Sequence, residues 1–193
     1  YSSSSTVGKG GNGGGGNGGH NSEGSAAIVN TGSGGGGGGH SGYNGGKGAS
    51  GIVIIRNTRS TSTSNFPGVG FDFTYTGTYA IIDEGSGNWK IKFLTSGDFK
   101  SNSDLLVDTF LVGGGGGGGG YYDYGGGGGG YTKTEKNIFL LANNGYSIKI
   151  GAGGSPGAKN VVATAGEASS AFGYSADGGG GARYGADYGG HGG

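Results

Sequence analysis

His20, His40 and His191 are the only imidazoles in the chain. A zinc site needs at least three protein ligands held in fixed geometry. These three stand far apart, each beside glycine, and there is no cysteine to supply a thiolate or a disulfide. Gly45-Gly46-Lys47-Gly48 has the texture of a phosphate loop. Such a loop, however, places Ser or Thr after its lysine and follows a strand. Here Gly48 follows Lys47, and no strand precedes. Asp83-Glu84 could open a calcium loop, but before Gly85-Ser86-Gly87-Asn88 the pair reads as a solvated turn. No serine sits in a nucleophile elbow with His and Asp partners. No catalytic residue, metal ligand or cofactor is therefore expected, and the chain is not read as an enzyme.

The tyrosines carry more information. Tyr43, Tyr121, Tyr122, Tyr124, Tyr131, Tyr174, Tyr184 and Tyr188 all border glycine-rich sequence. Two roles are open to them. Flat rings can cover the ends and sides of a glycine structure that lacks side chains of its own. They can also form a contact surface for a sugar or another subunit, because Tyr gives rigid amphipathic area at low entropic cost.

Those residues must be positioned by an unusual chain. Of 193 residues, 58 are glycine, against an average usage of about 7%. Collagen is excluded, since the glycine comes in blocks and there are only 2 prolines. Lys+Arg and Asp+Glu are both 12, so no electrostatic footprint for nucleic acid or an anionic membrane exists. No apolar run approaches the roughly 20 residues of a membrane span. Leu, Ile, Val and Phe fall under the roughly 20% that accompanies disorder, but the high net charge of disordered chains is missing. The chain opens at Tyr1 without Met and is read as a mature product, a fragment or a repeat.

Four textures follow in order. Residues 1–57 are a glycine-rich segment ending in Ile52-Val53-Ile54-Ile55, a short β-branched run typical of a buried strand. Residues 58–65 are a Ser/Thr-rich linker. Residues 66–112 alternate as β protein. Phe71, Phe73 and Tyr75 form one strand, 79–82 a second, Trp89, Ile91 and Phe93 a third, and 107–112 a fourth. Turns are expected at 83–88 and 95–98. Residues 113–193 return to glycine around a β-hairpin at 137–150, signalled by Asn143-Asn144-Gly145. No α-helix is expected, because glycine costs about 1 kcal/mol per helical position.

The glycine runs have matched lengths. One is bounded by Gly34 and Gly39, one by Gly113 and Gly120, one by Gly125 and Gly130, and a shorter one by Gly178 and Gly181. A single run would be a flexible linker. Several runs of similar length could instead lie side by side as three-fold extended helices, rising about 3.1 Å per residue with no internal hydrogen bonds. Their N–H and C=O groups must then pair laterally, which the lack of Cβ atoms permits. Tyr121-Tyr122-Asp123-Tyr124 would be the turn between two such runs. The expected fold is all-β plus polyglycine II: a small antiparallel β-sandwich packed with a bundle of polyglycine II helices.

Phe110-Leu111-Val112 entering the run at Gly113, Tyr131-Thr132-Lys133 leaving the next, the stretch from Tyr146 to Gly154, and Ser170-Ala171-Phe172-Gly173 together resemble the glycine-rich domain of phage tail proteins and bacterial surface proteins. A more distant similarity is to the extracellular glycine-rich domain of animal receptor tyrosine kinases. In the phage and bacterial family a β-rich lead enters the glycine runs and the unit closes on a strand such as Ser50-Gly51-Ile52-Val53-Ile54-Ile55-Arg56. Here the closing strand comes first. Reading 66–193 followed by 1–57 restores the order, so the 193 residues are expected to be one circularly permuted unit of a tandem repeat. The resemblance implies a polyglycine II bundle. It also implies that loops between runs carry receptor specificity, which singles out Tyr121, Tyr122, Asp123, Tyr124, Tyr184 and Tyr188.

Two functions follow. One is the structural subunit of a self-assembling extracellular or cell-surface filament, whose partners are copies of itself. The other is a phage tail-fibre or adhesin module that binds a host-surface glycan or receptor; a receptor ectodomain is a third class. Ser2, Ser3, Ser4, Ser5 and Thr6, with Thr58, Ser60, Thr61, Ser62, Thr63 and Ser64, are either plain linker or O-glycosylation sites. No nucleic acid partner and no membrane-embedded segment are expected.

Overall fold

The computed structural model describes residues 7–40, 42–57, 72–121, 125–183 and 190–192. Both Ser/Thr stretches, together with Tyr122, Asp123, Tyr124, Tyr184 and Tyr188, lie outside the described residues.

Among the described residues the chain is all-β, with no helix, so no helix is long and apolar enough to cross a membrane. The strands are β1 (Ile52–Asn57), β2 (Phe73–Tyr75), β3 (Tyr79–Gly85), β4 (Asn88–Phe93), β5 (Gly97–Ser101), β6 (Leu105–Val112), β7 (Thr132–Leu140), β8 (Gly145–Ile148), β9 (Ser169–Ala171) and β10 (Tyr174–Ala176). They form a five-stranded sheet of order β3-β4-β1-β6-β7, a three-stranded sheet β2-β5-β8 and a pair β10-β9. Every pairing is antiparallel.

Period-two patterning sets the faces. Trp89, Ile91 and Phe93 of β4 point into the core, while Lys90 and Lys92 are only partly covered. Val53 and Ile55 of β1 and Val107, Thr109 and Leu111 of β6 share that inner face. Phe99 and Ile148 of the three-stranded sheet close the same cluster from the other side. Phe93 and Phe99 meet edge-to-face, centroids 5.5 Å apart, a favoured geometry for aromatic quadrupoles. Tyr75 packs on Phe93 at 4.7 Å and donates its hydroxyl to the Thr95 carbonyl. Burial, helped by the Asp98 carboxylate, pushes the Tyr75 phenol up to about 12.

Two local expectations are corrected. Residues 137–150 are not a hairpin: β7 pairs with β6, and β8 pairs with β5. The turn at Asn143 is real, with φ 60°, but it carries the chain from one sheet to the other. Both strands then face one apolar cluster, and the Asn143 N–H bonds the Ser101 carbonyl instead of closing a ladder. Gly97 and Asp98 do not turn but begin β5, because β2 and β8 flank it and Phe99 is fully buried. Strands β9 and β10 carry too few large apolar residues to be read locally.

Glycine segments extend from the strands. The segment 43–50 runs into β1, β6 runs into 113–120, and 125–131 runs into β7. Likewise β8 leads into 151–157, 163–168 into β9, and β10 into 177–183. Segment 113–120 is buried along its whole length, and its hydrogen bonds repeat every three residues. Gly113, Gly116 and Gly119 donate to Tyr131, Gly128 and Gly125. Gly114 and Gly117 donate to Glu167 and Thr164. Gly115, Gly118 and Tyr121 donate to Ala49, Gly46 and Tyr43. Its carbonyls accept from three other segments. Gly35 and Gly38 donate to Gly116 and Gly119, Gly154 and Gly157 to Gly115 and Gly118, and Gly179 and Ala182 to Gly114 and Gly117. Six segments thus surround one. The runs at 113–120 and 125–130 lie side by side and antiparallel.

The junction between sheets and glycine segments is held by Ser169, which is fully buried. Its hydroxyl donates to the Val112 carbonyl at 2.7 Å and accepts from the Gly151 N–H at 2.9 Å. Ser169→Ala would leave both buried groups unpaired. It is expected to cost about 1–3 kcal/mol, read as a lowered denaturant midpoint with an unchanged slope.

Candidate functional site

The glycine segments dock on the sheets at one end, so their connecting loops gather at the other. Parts of four such loops are described: 20–22, His40 with 42–43, Tyr121, and 158–162. The His40 N–H bonds the His20 carbonyl at 3.1 Å, and the Tyr121 N–H bonds the Tyr43 carbonyl at 2.8 Å. The Lys159 ammonium stands 5.4 Å from the centre of the Tyr121 ring, a cation–π distance. Tyr121 has φ 69°, a left-handed conformation uncommon outside glycine. Gly42, at φ 95°, lies against the same ring; a Cβ there would come within 3.2 Å of it. Tyr43, Val161 and Val162 are exposed around these residues, Val161 at 57%. The 158–162 loop closes by reciprocal Ala158 and Val161 bonds, with Asn160 left-handed at φ 59°. The result is an aromatic and aliphatic tip that carries the Lys159 ammonium and can make contacts.

The expected site residues divide between the two ends. Tyr43 and Tyr121 lie at the loop end, whereas Tyr131 and Tyr174 lie at the sheet end beside β7 and on β10. His20 and His40, distant in sequence, are brought together by their loops. Among the described residues no three His, Asp or Glu side chains converge on one point. The N–H groups of Gly45, Gly46 and Gly48 bond Gly157, Gly36 and Gly154, so this segment offers no phosphate cradle. Asp83 accepts from the Gly85 N–H, and Glu84 pairs with Lys90, so the acidic pair serves its own turn. Local sequence could not show the contribution of Lys159, Val161 and Val162. Their only signal was a Pro156-Gly157 break ahead of an apolar pair.

A second concave surface covers the outer face of the five-stranded sheet, over Ile54, Ile82, Lys92, Asp108 and Phe110. Two of its charges engage each other. Arg56 Nη2 lies 2.9 Å from Asp108 Oδ2, and the Asn137 N–H donates to Asp108 Oδ1. Burial alone would raise the Asp108 carboxyl, but the Asn137 N–H and the Arg56 guanidinium outweigh it and hold it below its usual range.

A family model for a glycine-rich domain matches residues 95–193, just over half of the chain. No curated protein and no solved structure matches it.

Proposed function

The chain belongs to that glycine-rich domain family, and on this premise we propose that it is the structural, non-enzymatic subunit of a self-assembling extracellular filament. In this reading a small β-sandwich carries a polyglycine II bundle, and the 193 residues are one repeat of a tandem array. The observation that carries it is the place of residues 7–57. β1 is an inner strand between β4 and β6, and segments 32–39 and 43–50 are two of the six around 113–120. The segment that comes first in the chain thus completes the core of the unit, which supports the closing role that the repeat reading gives it. The three-residue bond period and the lateral pairing support polyglycine II, which has three residues per turn and no internal bonds.

A second reading, a tail-fibre or adhesin module for a host glycan or receptor, is favoured by the gathering of Tyr43, Tyr121, Lys159, Val161 and Val162 at one tip. The two are separated by electron microscopy and cell binding of the purified chain. Uniform filaments are expected for the subunit. Dispersed particles that coat cells, with coating lost in Tyr43→Ala, would replace it with the adhesin.

A further inference from the structure

Segment 32–39 is bonded on five sides, one fewer than segment 113–120. It donates from Gly35 and Gly38 to 113–120, from Gly36 and Gly39 to Ser25 and Ser22, and from Gly32 to Ser50. It accepts from Gly16 and Gly19, from Gly46 and Ala49, and from Gly127 and Gly130. Its neighbours are therefore the segments 13–19, 22–28, 43–50, 113–120 and 125–131. Where a sixth would lie, between the first and last of these, there is a groove of about 370 Å³. It is lined by Gly13, Gly16, Gly34, Gly35, Gly127 and Gly129, among other glycines.

The groove presents main chain that no described residue satisfies. Gly34, in the floor of the groove, has no acceptor for its N–H among the described residues. The carbonyls of Gly16 and Gly127 likewise have no hydrogen-bond donor there. An extended strand laid in the groove would meet the Gly34 donor on its floor and the Gly16 and Gly127 acceptors on its two walls. It would also have to lack side chains on the facing positions. At the spacing of this bundle a Cβ on Gly34 would lie 1.9 Å from the Gly127 oxygen, and one on Gly35 would lie 2.0 Å from the Gly46 oxygen.

We propose that this groove is a binding slot for one glycine-rich extended strand of a second copy of the chain. The inference rests on the self-assembly reading and gives it an interface. Three observations select that occupant. The slot excludes Cβ atoms, and this chain is itself rich in the runs it would take. Balanced charge sets no repulsion between copies. An alternative route, pairing at the edges of the five-stranded sheet, is blunted on both sides. Edge strand β3 ends in Asp83 and Glu84 with a register shift, and edge strand β7 carries Lys133, Glu135 and Lys136 and faces another shift. Such charges and bulges oppose edge-to-edge addition.

The test uses groove positions that tolerate a side chain. A Cβ on Gly129 finds nothing nearer than 3.8 Å, and one on Gly13 nothing nearer than 4.0 Å. Gly129→Leu and Gly13→Leu should fill the slot without disturbing the bundle. Gly8→Leu, with no atom within 4 Å of its Cβ, is the control outside the slot. Sedimentation and electron microscopy of the whole chain are expected to show assembly in wild type and Gly8→Leu. Self-association should be weaker by about tenfold or more in the two groove variants, at unchanged melting temperature. A soluble hexaglycine peptide with a lysine tag is expected to inhibit wild-type assembly. Groove variants that assemble like wild type would overturn the slot and leave the filament reading standing. A wild type that stays monomeric would overturn both. If the variants melt early, the peptide decides: inhibition supports the slot, and its absence overturns it.

Discussion

Gly116→Ala is expected to destabilise the chain by more than about 4 kcal/mol, enough to prevent folding, although it adds one methyl group. The new Cβ would lie 1.9 Å from the Gly180 oxygen, 2.4 Å from the Gly180 carbon and 2.8 Å from the Gly181 nitrogen. These are main-chain atoms, so no rotamer change relieves the clash. Overpacking an ordinary core costs about 1–3 kcal/mol because side chains give way. Here six hydrogen-bonded neighbours hold the segment, and moving one breaks bonds on the others. Gly11→Ala is the matched comparison, with nothing within 4 Å of its Cβ. It should change stability by less than about 0.5 kcal/mol, or raise it by about 0.4–1 kcal/mol through lost freedom in the unfolded chain. Urea midpoints of the two variants check this. Equal values would show that segment 113–120 is not packed against backbone.

Phe99→Ala is expected to cost about 3–5 kcal/mol and to take the glycine bundle down with the sheets. Phe99 is fully buried and touches Phe73, Phe93 and Phe172 at centroid distances of 5.5, 5.5 and 6.5 Å. Six glycine segments continue directly into β1, β6, β7, β8, β9 and β10, so loss of strand register displaces the central segment and five of the six around it at their roots. The expected result is one cooperative transition. The near-ultraviolet aromatic signal and the hydrogen-exchange protection of the 113–120 amides should vanish at one denaturant concentration. Protection that outlasts the aromatic signal would mean that the bundle folds alone.

Legibility differed between elements for physical reasons. β1, β4 and β6 were readable because β-branched and aromatic residues at period two report burial directly. β5 was not, since only Phe99 marks it and Gly97-Asp98 has the chemistry of a turn. The Asn143-Asn144-Gly145 turn was legible as a turn, but its pairing was not. A turn sets the local backbone, while the partner of each strand depends on which face must be covered. The tip was half legible. Tyr121 stood out beside the glycine run, whereas Tyr43, Lys159 and Val161 approach it only because antiparallel segments return their loops to one end.

From its sequence alone the chain was bound to be β-rich, and no helix forms among the described residues. Glycine penalises helices, and apolar alternation specifies strands. Runs of similar length also required lateral partners, since buried backbone must be hydrogen-bonded. Which segment sits at the centre, and that 32–39 has five bonded neighbours where 113–120 has six, was a matter for the tertiary structure. Glycine runs are chemically identical along their length. The β-strands at the roots of six of them give those a position, a direction and neighbours, and the remaining segments are placed by their hydrogen bonds to these.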